Sequence, residues 1–582
     1  MRAQPSADFS RPRYKKRARK RSSRLIVLLL LLLAAAGGAA YLAPGLILSS
    51  WGEETALVIG NAKIGFNLVR ADQREIYLAV EPLRDYLDPY FFWDAAEKTA
   101  VITTADRVIH MRSEQLTAEV NLQPVELQFP LREENGRFYL PLLFLADFYG
   151  LNVQYHPETD TVVIDRKGEA AYLAEISVAS VRLREGPGLH YPYLAQLQQG
   201  EKVRLEEKTG SGWCLVRTAA GLTGYLPWNR IEVQGAYPSP SRTGEPGGLR
   251  PPGLPPPLVL VWEFTYPNPN VETIGAMPSL QVVSPTWFHL ADENGGIKNL
   301  ADPAYVHWAV ERGYSVWALV SNSFDPEMTA AFLSSSARRR TFIDQLLIFA
   351  RLYNLGGLNL DFENFHYSYG ELYTQLIREL APLCRAEGLV LSVDVTMISD
   401  EPYWSRGYDR GALAEAADYI MLMAYDEHWG GSPLPGSVAS LPWVERGLRK
   451  VLDEVPPEKL ILAVPFYTRL WQVENKGGSE VSISSRAYSM DRVEEILSAQ
   501  ESRLEWDNAA RQNVARYTDG AEEYVAWLED SDSMRQRLEL VNRYRLAGVA
   551  CWRRGLEKPE IWDLFEEVLA EYQQANQKRG GD

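Results

Sequence analysis

From Leu258 onward, apolar runs alternate with segments whose apolar positions recur at helical spacing. The runs predict strands at Leu258–Thr265, Leu280–Ser284, Tyr314–Ser321, Gly357–Glu363, Val390–Thr396, Tyr419–Tyr425, Leu460–Tyr467 and Ala547–Trp552. Helical stretches such as Thr341–Asn354 and Tyr369–Glu387 separate most of them. Eight such units predict a (β/α)8 barrel, whose functional groups sit at the carboxyl ends of the strands. The stretch from Trp471 to about Asn542 is too long for one helix and predicts an α+β insertion walling one side of the cleft.

One run carries the densest chemistry. In Gly356-Gly357-Leu358-Asn359-Leu360-Asp361-Phe362-Glu363, side chains alternate faces, so Asn359, Asp361 and Glu363 point one way and Leu358, Leu360 and Phe362 the other. Burying the polar face unpaired costs about 1–3 kcal/mol per group, so partners are required. Asp361 and Glu363 lie roughly 6–7 Å apart at Cα, close enough to couple their ionisation and keep one protonated near neutral pH. A protonated carboxyl beside an ionised one suits acid-catalysed glycosidic cleavage.

The first part of the chain has a different texture. Residues 1–24 are a basic segment, densest from Arg11, and residues 25–48 follow as an apolar stretch of bilayer-spanning length. Basic residues stay on the cytoplasmic side, which predicts a single-pass cell-membrane anchor with the amino terminus inside and the rest outside. A cleaved signal peptide is the rival reading. Residues 54–168 contain an internal repeat. Tyr77-Leu78, Leu83, Asp85, Trp93, Thr99, Val101 and Ile102 recur as Tyr139-Leu140, Leu145, Asp147, Tyr155, Thr161, Val163 and Ile164, at a constant offset of 62 (139 − 77). Each copy reads as strand, short helix, strand. The repeat resembles the amino-terminal domain of copper amine oxidases; no His cluster accompanies it, so neither copper nor oxidase chemistry is expected. A wall-docking module and a passive spacer are both open for it.

Residues 173–234 are short alternating strands punctuated by Gly and Pro, which predicts a small β-barrel. Val181-Arg182-Leu183-Arg184-Glu185-Gly186-Pro187-Gly188, Gly212-Trp213-Cys214-Leu215-Val216 and Gly221-Leu222-Thr223-Gly224-Tyr225-Leu226 resemble a bacterial SH3-type domain. The resemblance implies either binding of wall peptide or glycan, or domain spacing. Residues 235–257 are a Pro-rich linker, and residues 258–573 form the barrel. The fold class is therefore multidomain: transmembrane helix, α+β repeat domain, SH3-like β-barrel, and a TIM barrel with an α+β insertion.

Composition narrows the function. A net charge of −16 over 582 residues argues against a nucleic-acid partner. Three isolated cysteines make no disulfide framework and read as small buried hydrophobes. Seven histidines without ligand spacing predict no metal site, and no cofactor is expected. The run Arg338-Arg339-Arg340 reads as a solvated helix start, and Trp287 and Trp317 as barrel core.

From Leu258 to about Tyr572 the chain resembles glycoside hydrolase family 18, the chitinase-like barrels. The family's fourth-strand Asp-Gly-x-Asp-x-Asp-x-Glu appears as Gly356 to Glu363, its sixth-strand Met-x-Tyr-Asp as Met423-Ala424-Tyr425-Asp426, and its eighth-strand tryptophan as Trp552. Gly356 and Asn359 replace two aspartates of that pattern. Asn359, together with the run Tyr425-Asp426-Glu427-His428-Trp429-Gly430, resembles the branch that acts on spore and peptidoglycan glycans.

The resemblance implies substrate-assisted retaining catalysis on an N-acetylated cell-wall glycan, with chitin a lesser target. Glu363 would be the acid and later the base, Asp361 would orient the substrate acetamide, and Tyr425 would hold its oxygen. Asn359, Asp426, Trp552 and Tyr467 would contact sugar, with Arg469, Asp394 and Glu263 as weaker candidates; Asn359 would also hydrogen-bond Asp361. A glycan-holding lectin without turnover is the alternative.

Overall fold

The structure, a computed structural model, describes residues 19–49, 54–66, 68–71, 74–169, 171–236, 254–475, 481–520 and 522–577. Most of the basic amino-terminal block and most of the Pro-rich linker lie outside these residues. The described chain forms two compact units, residues 1–89 with 132–243, and residues 90–131 with 244–582.

The first unit opens with helix α1 (Arg19–Leu42). Its apolar stretch, Ile26–Leu46, is long and apolar enough to cross a membrane and lies unburied. The two copies of the repeat meet through strands Ile76–Ala79 and Arg137–Pro141, which pair antiparallel with Leu78 opposite Leu140. Those two leucines are equivalent positions of the repeat, so the pair lies on a local two-fold axis. The second copy continues into the hairpin Leu151–His156 and Thr161–Arg166, paired in one sheet with Ala56–Ile59. The SH3-like segment is a seven-stranded antiparallel sheet around Ala174, Ile176, Leu183, Val203, Val216 and Leu226. Asp165 of the repeat pairs with Arg204 and Arg217 of the SH3-like sheet at 2.9 and 2.8 Å.

The second unit is built on eight parallel strands: β1 (Leu258–Glu263), β2 (Val282–Leu290), β3 (Ser315–Ser321), β4 (Gly357–Asp361), β5 (Val390–Thr396), β6 (Tyr419–Met423), β7 (Leu460–Pro465) and β8 (Gly548–Trp552). They pair in sequential order, and β1 closes on both β2 and β8. This is a TIM barrel. Alternation along each strand sorts two cores. Leu258, Leu260, Trp262, Trp317, Leu319, Met421 and Ile461 fill the interior, while Leu358, Leu360 and Phe362 join the larger core beneath the helices. Trp317 is interior core, and Trp287 lies in the core under the helices. Gly356 precedes β4 and Gly357 opens it, both closely surrounded. A Cβ on Gly356 would meet Ser315 Oγ at 2.1 Å, and one on Gly357 would meet Val390 O at 2.7 Å. A side chain at 356 would require the Ser315 hydroxyl to rotate away, whereas one at 357 would meet backbone.

The first repeat's closing hairpin, Phe92–Asp94 and Thr99–Thr103, starts a five-stranded antiparallel meander that ends at Gln123–Glu126. This meander packs on helices α2 (Ser336–Leu352) and α3 (Gly370–Ala386) of the barrel. Asp94 accepts hydrogen bonds from Ser336 N and Ser336 Oγ at 2.9 and 2.8 Å. Val101 and Val108 join the barrel core. The arginine run at the start of α2 is therefore not a solvated helix start, contrary to its reading from sequence. Arg339 is fully buried, paired with Glu379 Oε1 at 2.8 Å through Nη2 and lying against the Phe92 ring. Arg340 pairs with Glu119 of the meander at 3.0 Å. Burial in a low dielectric demands such pairing, and no local signal in the run announces it.

Between β7 and β8 lies a five-stranded antiparallel sheet with one helix, Met490–Ala499. It was expected to wall the cleft. Among the described residues it lines none of it and instead braces the loop after β6. Trp471 Nε1 donates to Gly436 O at 2.8 Å, and Gln512, Glu529 and Arg537 form a buried network that reaches Ser437 and Ala439.

Candidate active site

The cleft at the carboxyl ends of the strands encloses about 680 Å³. Trp262 and Trp552 form part of its lining, with ring centroids 5.9 Å apart. Asp361, Glu363, Asp394, Tyr425 and Asp426 supply its polar groups. Exposed aromatic rings at its rim, Phe264, Tyr266, Phe324 and Trp404, were not anticipated from sequence. They sit in loops after β1, β3 and β5, where no periodicity marks them.

Asp361 is the last residue of β4, and Glu363 lies two positions on, facing the same way. The Glu363 backbone is clamped from both sides: its N–H donates to Asn322 Oδ1 at 3.1 Å, and its carbonyl accepts from Asn322 Nδ2 at 2.6 Å. Tyr408 Oη donates to Phe362 O at 2.7 Å. The Asp361 carboxyl is buried, and its Oδ1 has no hydrogen-bond partner among the described residues. A buried, unpartnered carboxylate oxygen facing a cleft is costly in the free protein and is a receptor for a ligand N–H. Burial pushes Asp361 up to about 7. Burial, then the charges of Asp361 and Asp426, hold Glu363 well above the usual carboxylate range. Asp361 and Glu363, with Asp394 coupled to them, titrate as one system that retains a proton near neutrality.

Asn359 is placed differently from its sequence reading. Its amide is wholly buried. Oδ1 accepts from Trp262 Nε1 at 2.8 Å and from Ser284 Oγ at 3.3 Å, and Nδ2 donates to Asp394 Oδ1 at 2.7 Å and to Ser392 Oγ at 3.1 Å. It reaches neither the cleft nor Asp361, because the strand pleat carries it a layer deeper into the barrel. Its effect is to fix the Trp262 ring and Asp394. Asp394 is buried and held well above the usual range, first by burial and then by the charge of Asp361, with the Asn359 hydrogen bond opposing.

Tyr425 lines the cleft half-buried after β6, and its phenol is raised by burial and by the charges of Glu363 and Asp361. It enters as a hydrogen-bond donor. Asp426 adopts a left-handed backbone, φ 62°, which turns its carboxylate into the cleft mouth. Tyr467 Oη donates to Asp426 Oδ1 at 2.6 Å and stands behind that carboxylate rather than in the cleft lining. Glu263 is taken by Arg554, with Nη2 to Oε1 at 2.9 Å, and by Tyr305. Arg469 donates to Ser485 Oγ at 3.2 Å. All three cysteines are buried and free, and the described residues hold no cluster able to bind a metal.

A parallel barrel with an acid pair ending its fourth strand, over a cleft floored by tryptophan, is the architecture of a glycoside hydrolase. Residues 322–557 match the family Glycosyl hydrolases family 18, residues 63–164 the Copper amine oxidase N-terminal domain, and residues 179–232 the Bacterial SH3 domain. The chain is 26% identical over 253 residues to the cortical fragment-lytic enzyme of Bacillus subtilis, covering 43% of this chain and 58% of that one. Against YvbX, an uncharacterized glycosylase of the same organism, it is 25% identical over 283 residues, covering 47% of this chain and 80% of that one. The crystal structure of the Bacillus megaterium spore cortex-lytic enzyme SleL aligns with a TM-score of 0.48 at 23% identity, covering 53% of this chain and 73% of that one. The matched part thus spans little more than half the length of the cortical enzyme.

Proposed function

We propose that this chain is a membrane-anchored glycoside hydrolase that cleaves β-linked N-acetylglucosamine-containing glycan of peptidoglycan or spore cortex by substrate-assisted retention. The observation that carries the reading is Asp361 Oδ1, without a partner among the described residues, beside Glu363 in one aromatic-lined cleft. The relatives named for cortical lysis favour a wall glycan. The apolar helix α1 and the basic residues before it favour anchoring with the barrel outside.

The substrate's acetamide N–H donates to Asp361, and the Tyr425 hydroxyl donates to the acetamide oxygen. Glu363 gives its proton to the glycosidic oxygen as the C1–O bond breaks, and the acetamide oxygen closes on C1 to form an oxazolinium ion. Asp361 enters the step as the carboxylate, and its charge balances that positive charge. Water then attacks C1 while Glu363 takes its proton, and the ring reopens with configuration retained. Each contact strengthens as charge develops, which is where a contact raises the rate.

The test is release of reducing ends from purified peptidoglycan by the full chain, with Glu363→Gln in parallel. Glu363→Gln should lose roughly 10²–10⁴-fold in kcat, the ordinary share of a general acid. De-N-acetylated glycan should resist the wild-type protein. Equal release by both proteins would refute the reading, and glycan binding without release would leave only a lectin.

A further inference from the structure

Strand β2 runs on past the barrel wall and folds back with Ile297–Asn299 as a hairpin. Within it His289 lies directly opposite Lys298, so the two side chains share a face. Both line the cleft, beside Thr286, Ser321 and Ser323. The sheet order puts β2 four strands from β6 in either direction around the ring. The hairpin therefore faces Tyr425 and Asp426 across the barrel mouth, with Glu363 between.

The charge pattern there is uneven. Among the described lining residues the acids are Asp361, Glu363, Asp394 and Asp426, and Lys298 is the one permanent cation. Lys298 has neither an ion pair nor a hydrogen bond to any described residue, and it is not among the charges that set Glu363. Burial lowers the proton affinity of its neighbour His289, the Thr286 carbonyl opposes this and the Lys298 charge adds to it, and His289 Nε2 lies 3.2 Å from Thr286 O. With Nε2–H donated to that carbonyl, Nδ1 is left as an acceptor.

A sugar chain lying across the mouth takes water from this ammonium. A neutral chain leaves the charge poorly solvated, whereas a chain bearing carboxylate replaces the lost water with a charge-assisted hydrogen bond. Specificity between the two follows from that difference. We propose that Lys298, with His289 beside it, forms a subsite that selects acetamido-glycans bearing a carboxylate over neutral ones. The carboxylate comes from an acid ether on the sugar or from a peptide branch attached to it. This inference rests on the cleft being a glycan site, as proposed above.

The experiment measures affinity rather than turnover, using the full chain carrying Glu363→Gln. The probes are short soluble peptidoglycan fragments, peptide-stripped or peptide-bearing, each with free or methyl-esterified carboxylates, and a neutral N-acetylglucosamine oligomer. Free acid should bind about tenfold tighter than its ester, and added Lys298→Met should bring the ratio to about one. A preference confined to stripped fragments assigns the carboxylate to the sugar, and one confined to peptide-bearing fragments assigns it to the branch. Equal affinity for acid and ester, or a ratio that survives Lys298→Met, overturns the subsite. Turnover is scored separately on the chain with Glu363 intact. Cleavage without an acid preference removes the subsite and leaves the hydrolase, while acid preference without cleavage does the reverse.

Discussion

At the scale of single residues, burial makes the site's carboxyls hold their protons more tightly. Asp361 ends up at about 7 against an ordinary value of 3.8, and burial is the cause. A carboxyl whose folded value is raised binds its proton more tightly folded than unfolded. Stability from this group is therefore fully present below the unfolded value and falls as pH rises from about 4 to about 7. Above that window the penalty is complete, on the order of a few kcal/mol. Asp361→Asn keeps the shape and never ionises. It should raise the melting temperature of the barrel by a few degrees at pH 8 and leave it nearly unchanged at pH 4, read by calorimetry at both values. An equal effect at both would mean that Asp361 is not desolvated in the free protein.

At the scale of elements, the meander of residues 92–126 governs how α2 is held, and α2 leads directly into β4. Ser335 caps α2 locally, its side chain accepting from Arg338 N, and Asp94 adds a second cap from far along the chain. Asp94→Ala leaves Ser336 N and Oγ short of a buried partner. It should cost about 1–2 kcal/mol, measured as a lowered unfolding midpoint in denaturant. Glu379→Leu is the harsher change, because it strands the buried Arg339 guanidinium. A loss of about 3–5 kcal/mol is expected for breaking such a pair from one side. The pair and the cap lie on one face of α2–α3, so the two losses should exceed or fall short of simple addition in the double variant.

At the scale of the whole molecule, the catalytic unit does not coincide with the segment from 258 onward. Residues 90–131 contribute Val101 and Val108 to the barrel core and Phe92 to the Arg339 site. A fragment of residues 258–582 should therefore melt lower than the intact chain and expose apolar surface to a dye such as ANS. An identical barrel transition in the two would show that the meander adds nothing.

Much of this was legible in the sequence, because it is periodic or local. Seven of the eight barrel strands end within two residues of their predicted ends, since apolar alternation and length are written into each run, whereas β2 runs on to Leu290, six residues past its predicted end. The offset of 62 made the repeat itself legible, though not the Leu78–Leu140 pairing, and the order of Asn359, Asp361 and Glu363 foretold one shared face. What tertiary structure alone decided concerns partners far apart in the chain. It sent Asn359 to Trp262 and Asp394, buried Arg339 on Glu379, gave residues 90–131 of the repeat domain to the barrel unit, and brought Lys298 into the same cleft lining as Asp426. The physical reason is that a residue's period fixes which face it takes, whereas its charge state and its partner depend on which other segments crowd that face.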